Sequence, residues 1–132
     1  MTDHKIHENT DLPCDSCVDE NEEHAISMIT SAENFPVVSE MFKQLSDPTR
    51  MRIFTILCHT EICVLNLASV MKMSSPAVSH HLRMLKTSGL ITHRRVGKQV
   101  LYTIADNDKA NALHEAIEKM LNIYSDLHKN NS

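Results

Sequence analysis

The sequence predicts a mainly α-helical domain with one small β-hairpin. Only two Gly and four Pro occur among 132 residues, so few positions break helices. Apolar residues recur at spacings of three and four over most of the chain. One stretch, residues 91–104, instead alternates and is rich in β-forming residues around a central glycine. Because 42% of the residues are hydrophobic, the chain can bury one small core, and we expect a single domain.

Residues 1–24 predict a flexible arm ahead of the domain, which covers residues 25–128. Because the arm is polar and acidic, we expect it to be neither a signal peptide nor a membrane segment. Helix is predicted from about Asn21, continuing over residues 25–45 with a break near Asn34. The next helix begins at Asp47-Pro48, because Asp caps helices and Pro suits their first position, and it runs to about His59.

Two short helices across a three-residue turn then predict a helix-turn-helix. The first covers about residues 64–71, and the second opens at Ser75-Pro76 and ends at Ser88-Gly89. The hairpin over residues 91–104, with Gly97 at its tip, adds a wing. The elements together predict a winged helix-turn-helix.

The last predicted helix runs from Asp106-Asn107-Asp108 to about His128 and carries a long apolar stripe. Its members follow one another at spacings of three and four: Ala110, Leu113, Ile117, Met120, Tyr124 and Leu127. This stripe predicts pairing with a second copy as a homodimer, while packing against its own domain is the alternative.

The charge distribution indicates a nucleic-acid partner. Between Ile62 and Ala105 there is no Asp or Glu but there are six Lys or Arg and three His, although the whole chain carries a net charge of −4. A local cationic surface in an acidic protein suits a phosphate backbone. With only 4% aromatic residues, the chain lacks the stacking surfaces of single-strand binders, so we expect double-stranded DNA.

The second helix of the helix-turn-helix separates into two faces. Val78, Leu82 and Leu85 form an apolar stripe that should face the core. The residues expected to contact DNA lie on the other stripe, at its margin or in the wing: Ser75, Ser79, His80, Arg83, Lys86, Arg94, Arg95 and Lys98. His81 lies nearer the core and is expected to be packed and hydrogen-bonded.

Four cysteines without a secretion signal indicate a reducing, cytoplasmic location. Cys14-x-x-Cys17 lies in the arm, and two thiolates at that spacing can chelate one soft ion. Cys63 directly precedes the helix-turn-helix, where a bound metal could be coupled to DNA binding. Cys58 ends an apolar helix and is either a buried structural thiol or a ligand.

Four segments carry a resemblance to a known family. They are Leu45-Ser46-Asp47-Pro48-Thr49-Arg50-Met51-Arg52-Ile53, Glu61-Ile62-Cys63-Val64, Ser79-His80-His81-Leu82-Arg83-Met84-Leu85 and Gly97-Lys98-Gln99-Val100-Leu101-Tyr102. Over about residues 35–125 the chain resembles the ArsR/SmtB family. The resemblance implies a dimeric winged-helix repressor that leaves operator DNA when metal binds, encoded with a metal-efflux or sequestration operon.

Family members similar to the cadmium, lead and zinc repressors join arm cysteines to a Cys-Val-Cys segment. Cys63 matches the first cysteine, but Leu65 occupies the second position and Asn66 replaces a nearby carboxylate. The resemblance therefore implies a site for Cd(II), Pb(II) or Zn(II) with three thiolates, completed by a fourth ligand. The thiolates are Cys14, Cys17 and Cys63, and the candidates for completion are Cys58, His24 or a water.

The family's other common metal site, on the C-terminal helices, is expected to be degenerate. Its positions match Asp106-x-Asp108 and Lys119-x-x-Asn122, where a charged Lys cannot ligate and Asn is a weak ligand. A non-standard arrangement remains open for four side chains: Asp106, Asp108, His114 and Glu118.

These observations predict a metal-responsive transcriptional repressor. A thiol redox switch with a Cys14–Cys17 disulfide, a response to mercury-like or arsenite inducers, and a metal-binding or interaction module without DNA binding are the alternatives. We do not expect an enzyme, because the sequence offers no phosphate-binding glycine loop and no recognisable nucleophile–base arrangement.

Overall fold

The computed structural model describes residues 19–29 and 33–130. The chain divides into two compact units, residues 1–38 and 39–132. In the first unit, helix α1 spans Glu20–Met28 and begins with a reciprocal capping box. The Asp19 carboxylate accepts from the Glu22 backbone N–H at 2.8 Å, and the Glu22 carboxylate accepts from that of Asp19 at 3.0 Å. The last five residues of the predicted arm are therefore helical, and Cys14 and Cys17 lie outside the described residues.

Five further helices and three strands follow in the described residues. Helix α2 spans Asn34–Gln44, and the division between the units falls within it. The remaining elements are α3 (Pro48–His59), β1 (Ile62–Cys63), α4 (Val64–Met71), α5 (Ser75–Thr87), β2 (Ile91–Val96), β3 (Gln99–Ile104) and α6 (Asp108–Asn130). Among residues 19–29 and 33–130, none of the helices combines the length and the apolar run that a membrane span requires.

The helix-turn-helix and wing form where the sequence predicts them. The Asp47 carboxylate caps α3 by accepting from the Thr49 backbone N–H at 2.8 Å. Lys72 turns the chain between α4 and α5 in the left-handed region, with φ of 55°. Gly97, at φ of 62°, forms the tip of the β2–β3 hairpin, a conformation that favours glycine.

The sheet contains a strand that the sequence pattern does not reveal. Two-residue β1 pairs antiparallel with β3 on the side opposite to β2, giving the order β1-β3-β2. Cys63 of β1 and Arg94 of β2 are both register partners of Leu101, so the three residues lie side by side across the sheet. The strand directly preceding α4 is thereby tied to the wing.

The core of the second unit lies between α3, α4, α5 and the first half of α6. Its largest fully buried side chains are Phe54, Ile53, Leu57, Leu67, Leu82, Leu85, Leu90 and Val78. The apolar stripe of α5 is thus completely buried, as predicted.

The apolar stripe of α6 divides into two halves. Ala110, Leu113 and Ile117 are buried in their own domain, whereas Met120 and Tyr124 are 61% and 64% exposed. The buried half and Met120 line an apolar groove in the second unit together with the end of α2 and the start of α3. The groove residues include Phe42, Leu45, Met51, Leu113, Ile117 and Met120. The first half of the α6 stripe therefore packs against its own domain, whereas the second half does not.

Candidate nucleic-acid interface and metal-binding residues

Helix α5 presents the predicted polar and cationic stripe on its outer face. His80, Arg83 and Lys86 are exposed, and Ser75 and Ser79 are partly exposed. The Ser74 hydroxyl caps the helix by accepting from the Ala77 backbone N–H at 3.2 Å. The cap at one end of α5 and the buried apolar stripe behind it therefore fix the direction in which the outer face points. Such a helix suits a DNA major groove, whose base edges Arg and Ser can reach.

A shallow groove joins α5 to the base of the wing. It is lined by Ser79, Leu82, Arg83, Lys86 and Tyr102. The Lys86 Nζ lies 3.5 Å from the His93 Nε2, and the His93 and Tyr102 rings are 5.6 Å apart. Sequence reasoning did not select His93 or Tyr102, because only their register positions on β2 and β3 bring them beside Lys86.

His81 connects α5 to α3. Its Nδ1 accepts from the Arg50 Nε at 3.3 Å, and Arg50 also donates to the backbone oxygen of Gln44 at 3.2 Å. Burial lowers the pKa of His81, which favours the neutral ring that can accept this bond. His81 is therefore a packed, hydrogen-bonded residue, as predicted from the sequence.

Arg94, one of the predicted wing contacts, is paired within the protein. Its Nε and a terminal nitrogen donate to the two carboxylate oxygens of Glu61 at 2.7 and 2.6 Å. The hydrogen bonds from Arg94 hold the pKa of Glu61 below its usual range, so this carboxylate is ionised at neutral pH. Glu61 lies one residue before the acid-free stretch, and unpredicted β1 brings it to the wing.

The other two wing cations remain available. Arg95 and Lys98 are exposed, and neither forms an ion pair with any residue in 33–130. They lie on either side of the Gly97 turn, which projects them from the end of the hairpin. Their position suits contacts with flanking phosphates, which orient a protein on DNA without reading its sequence.

Cys63 occupies the junction between β1 and the helix-turn-helix. It is the N-cap residue of α4, is 8% exposed, and its side chain makes no capping hydrogen bond. His24, a candidate to complete the predicted site, is exposed on α1.

Cys58 is a half-buried thiol near the end of α3. Burial, reinforced by the negative charge of Glu118, raises the pKa of Cys58 to about 12. A metal that binds Cys58 would therefore have to displace a more tightly held proton than at an ordinary cysteine. This supports the structural interpretation of Cys58 over that of a ligand.

His59, His114 and Glu118 converge at the end of α3. The Glu118 Oε1 lies 2.5 Å from the His59 Nε2 and 3.2 Å from the His114 Nε2. The two hydrogen bonds lower the pKa of Glu118, that from His59 most strongly. The sequence suggested a non-standard role for His114 and Glu118, with Asp106 and Asp108 as partners. The cluster that forms contains His59 instead, while both aspartates are exposed.

Comparisons with known proteins agree with this arrangement. The profile described as "Bacterial regulatory protein, arsR family" matches residues 47–93. A transcriptional repressor SmtB homolog from Synechocystis is 39% identical over 92 residues, covering 70% of each chain. A cadmium resistance transcriptional regulatory protein CadC homolog from Staphylococcus aureus is 41% identical over 70 residues, covering 52% of this chain and 58% of that protein.

The fold is also found among solved structures. A homodimeric winged helix-turn-helix DNA-binding domain from Mycobacterium bovis is 25% identical, with a TM-score of 0.60 over 71% of this chain and 89% of that domain. The profile covers α3, β1, the helix-turn-helix and the first three residues of β2. The relatives are transcriptional regulators and not enzymes. The chain belongs to the ArsR/SmtB family of winged helix-turn-helix transcriptional regulators.

Proposed function

We propose that this protein is a metal-responsive repressor that binds operator DNA as a homodimer and dissociates when a soft or borderline metal ion binds its cysteines. The observation that carries this proposal is the position of Cys63. It lies at the first residue of the helix-turn-helix and beside the wing in the β-sheet. A ligand held there lies at the start of α4, the helix against which α5 packs, and beside the wing.

The DNA-binding part of the proposal rests on the outer face of α5 and the wing. Arg83 and Lys86 project from α5, and Arg95 and Lys98 from the hairpin, all exposed. Arg is suited to a bidentate contact with a guanine edge, and the wing cations to phosphates. Arg94 can contact a phosphate only if its hydrogen bonds to Glu61 are broken.

The homodimer rests on the exposed half of α6. Beyond Ile117, the described part of the helix leaves a group of large apolar side chains exposed: Met120, Leu121, Ile123, Tyr124 and Leu127. An exposed patch of this kind usually marks an interface. A two-fold dimer through α6 would present two copies of α5 to a palindromic operator.

The metal site of the proposal consists of Cys14, Cys17 and Cys63. Thiolates prefer soft or borderline ions, which favours Cd(II), Pb(II) or Zn(II) as the regulatory ligand. For the fourth ligand we favour His24 or a water over Cys58, because the raised pKa of Cys58 favours a structural thiol. The CadC homolog in Staphylococcus aureus is named for cadmium resistance, which supports this class of ion.

Release from DNA follows by thermodynamic linkage. If metal binds more tightly to a dimer conformation that fits DNA poorly, DNA affinity falls by the coupling free energy, typically about 1–3 kcal/mol or about 5–150-fold. The same factor must weaken metal binding when DNA is bound. Cys63 is suited to this coupling because a shift at the start of α4 moves the helix against which α5 packs.

The test begins by selecting an operator from random duplexes and measuring its binding in reductant with Cd(II), Pb(II) or Zn(II). We expect the metal to lower operator affinity about 5–150-fold and the operator to lower metal affinity equally. Cys63→Ser should abolish both effects, whereas the matched Cys58→Ser should retain them if Cys58 is structural. Equal metal affinity with and without operator would exclude the sensor mechanism. Release by oxidant alone would favour the thiol redox switch instead.

A further inference from the structure

We propose that His59, His114 and Glu118 form a second metal site, within one protomer and independent of the cysteines. The site would take a borderline divalent cation such as Zn(II) or Co(II) through two imidazole nitrogens and one carboxylate oxygen. It would join the last residue of α3 to the middle of α6. This site shares no residue with the thiolate site and does not depend on it.

The geometry of the three side chains is that of a chelating group. Their ligand atoms all lie within 4.8 Å of one another, and both imidazole Nε2 atoms approach the same Glu118 oxygen. The His59 and His114 rings are perpendicular, with centroids 5.3 Å apart, so the nitrogens converge while the rings do not stack. A cation placed among the three atoms would replace the two N–H donors that now converge on Glu118.

The ligands are held by well-packed parts of the fold. His114 and Glu118 are one turn apart on α6, and each follows a buried residue, Leu113 and Ile117. His59 ends α3, where nearby Leu57 is fully buried. Little ordering is therefore needed when an ion binds, which increases affinity.

The donor set and exposure define the class of ion. Neutral imidazole and carboxylate suit Zn(II), Co(II) or Ni(II), whereas Cd(II) and Pb(II) prefer thiolates. The side chains of His59, His114 and Glu118 are 60%, 28% and 34% exposed, so an ion can enter from solvent. Water would complete a four-coordinate site.

This cluster differs from the C-terminal site that the family resemblance implies. The positions matching that site include Lys119, whose ammonium group lies 3.5 Å from the Glu115 carboxylate. His59 comes from another helix altogether. The competing interpretation is an ion-pair network that only fastens α3 to α6, and such a network requires no metal.

The experiment uses the full-length chain with Cys14→Ser, Cys17→Ser and Cys63→Ser, which removes the predicted thiolate site. We expect this variant to bind one Co(II) per protomer by equilibrium dialysis, with d–d absorption and without thiolate charge-transfer bands. Zn(II) should compete for the site and raise the melting temperature. If this cysteine variant binds neither ion, the second site does not exist.

Further substitutions in the same background identify the ligands. His114→Ala and Glu118→Gln should each weaken Co(II) binding by at least about 100-fold, more than the roughly 10–100-fold typical of a residue that only orients a ligand. The matched control His128→Ala removes an exposed imidazole from the same helix and should leave binding unchanged. His59→Ala, at an exposed helix end, keeps the test valid if the α6 variants unfold. Unchanged Co(II) affinity in a folded His59→Ala or His114→Ala variant would overturn the proposal.

The outcome separates this site from the proposed repressor function. The thiolate site is detected in the chain with its cysteines intact by Cd(II) charge-transfer absorption and by loss of operator binding. The histidine site is detected in the cysteine variant by Co(II) and Zn(II). Failure of either measurement leaves the other interpretable.

Discussion

Helices α5 and α6 carry the same apolar period but leave opposite kinds of surface exposed. On α5 the apolar stripe is completely buried, and the exposed face carries Arg83 and Lys86. On α6 burial ends after Ile117, and the following turns expose residues such as Ile123 and Leu127. A period of 3.6 residues therefore predicts an amphipathic helix without predicting what its apolar face will contact.

The difference indicates two kinds of recognition. A cationic face attracts DNA over a distance and is weakened by salt, because binding releases counterions. An apolar face contributes through buried area and depends little on salt. We therefore expect substitutions on the two helices to differ in the property that they change, and the following predictions run from the largest expected effect to the smallest.

The first prediction compares two isoleucines on α6. Ile117 is 7% exposed and Ile123 is 60% exposed. Ile117→Ala should lower the free energy of unfolding by about 2–5 kcal/mol at every protein concentration, because it leaves a cavity in the core. Ile123→Ala should act only through dimer association, so that its effect depends on protein concentration in urea titrations. If both substitutions lower the free energy of unfolding equally and independently of protein concentration, the two halves of α6 do not differ in what they contact.

The second prediction places a charge on the exposed half of α6. Leu127→Glu should weaken the dimer by at least about 3 kcal/mol, or about 150-fold, because a carboxylate would be buried without a partner. Sedimentation equilibrium measures this change. Ser125→Glu adds the same charge to the same turn but off the predicted stripe, and it should have little effect. An intact Leu127→Glu dimer would show that another surface mediates association.

The third prediction removes a cation from α5. Arg83→Ala should lose about 1–3 kcal/mol of specific operator affinity if Arg83 pairs with a guanine edge. Arg52→Ala removes the same charge from the exposed side of α3 and serves as the control in a binding titration. Wild-type affinity of Arg83→Ala at several salt concentrations would show that α5 is not the recognition helix.

The fourth prediction concerns the wing. Arg95→Ala or Lys98→Ala should weaken binding to all sequences alike and reduce the salt dependence by about one unit per lost phosphate contact. The measurement is the slope of log affinity against log salt for specific and random duplexes. A slope that does not change would place the wing away from DNA.

The fifth and smallest effect is expected from Glu61→Gln. This change releases Arg94 from its bidentate pair, so non-specific affinity should rise a few-fold and the salt dependence should steepen. Arg94→Ala should then cost more in the Glu61→Gln background than in the wild type. If the effects of Glu61→Gln and Arg94→Ala on DNA affinity are additive, Arg94 does not contact phosphate even when it is released.

The Glu61–Arg94 pair also has an expected pH dependence. Because the pKa of Glu61 is lower in the folded than in the unfolded protein, the ionised Glu61 carboxylate stabilises the folded state. This stabilisation is complete above the ordinary glutamate pKa of about 4.3 and is lost as the pH falls through the lowered pKa. The Glu61–Arg94 pair should therefore be unchanged between pH 6 and 8. Any pH dependence of DNA binding in that window must arise from other groups.

The sequence alone determined the elements that depend on neighbouring residues. Asp47-Pro48 fixed the start of α3, Gly97 the tip of the wing, and the spacing of Val78, Leu82 and Leu85 the buried face of α5. Caps, turns and helical stripes are set within a few residues along the chain. For the same reason, the motifs in these segments were sufficient to indicate the family.

Tertiary structure alone decided the contacts between residues distant along the chain. Glu61 and Arg94 are 33 residues apart, and His59 and Glu118 are 59 residues apart. The first pair depends on β1, a strand of two residues that is too short to produce a period. The second depends on where α6 crosses the end of α3, and the same packing determines where the burial of α6 ends. Such contacts follow from packing between elements, which the periodicity of each element does not specify.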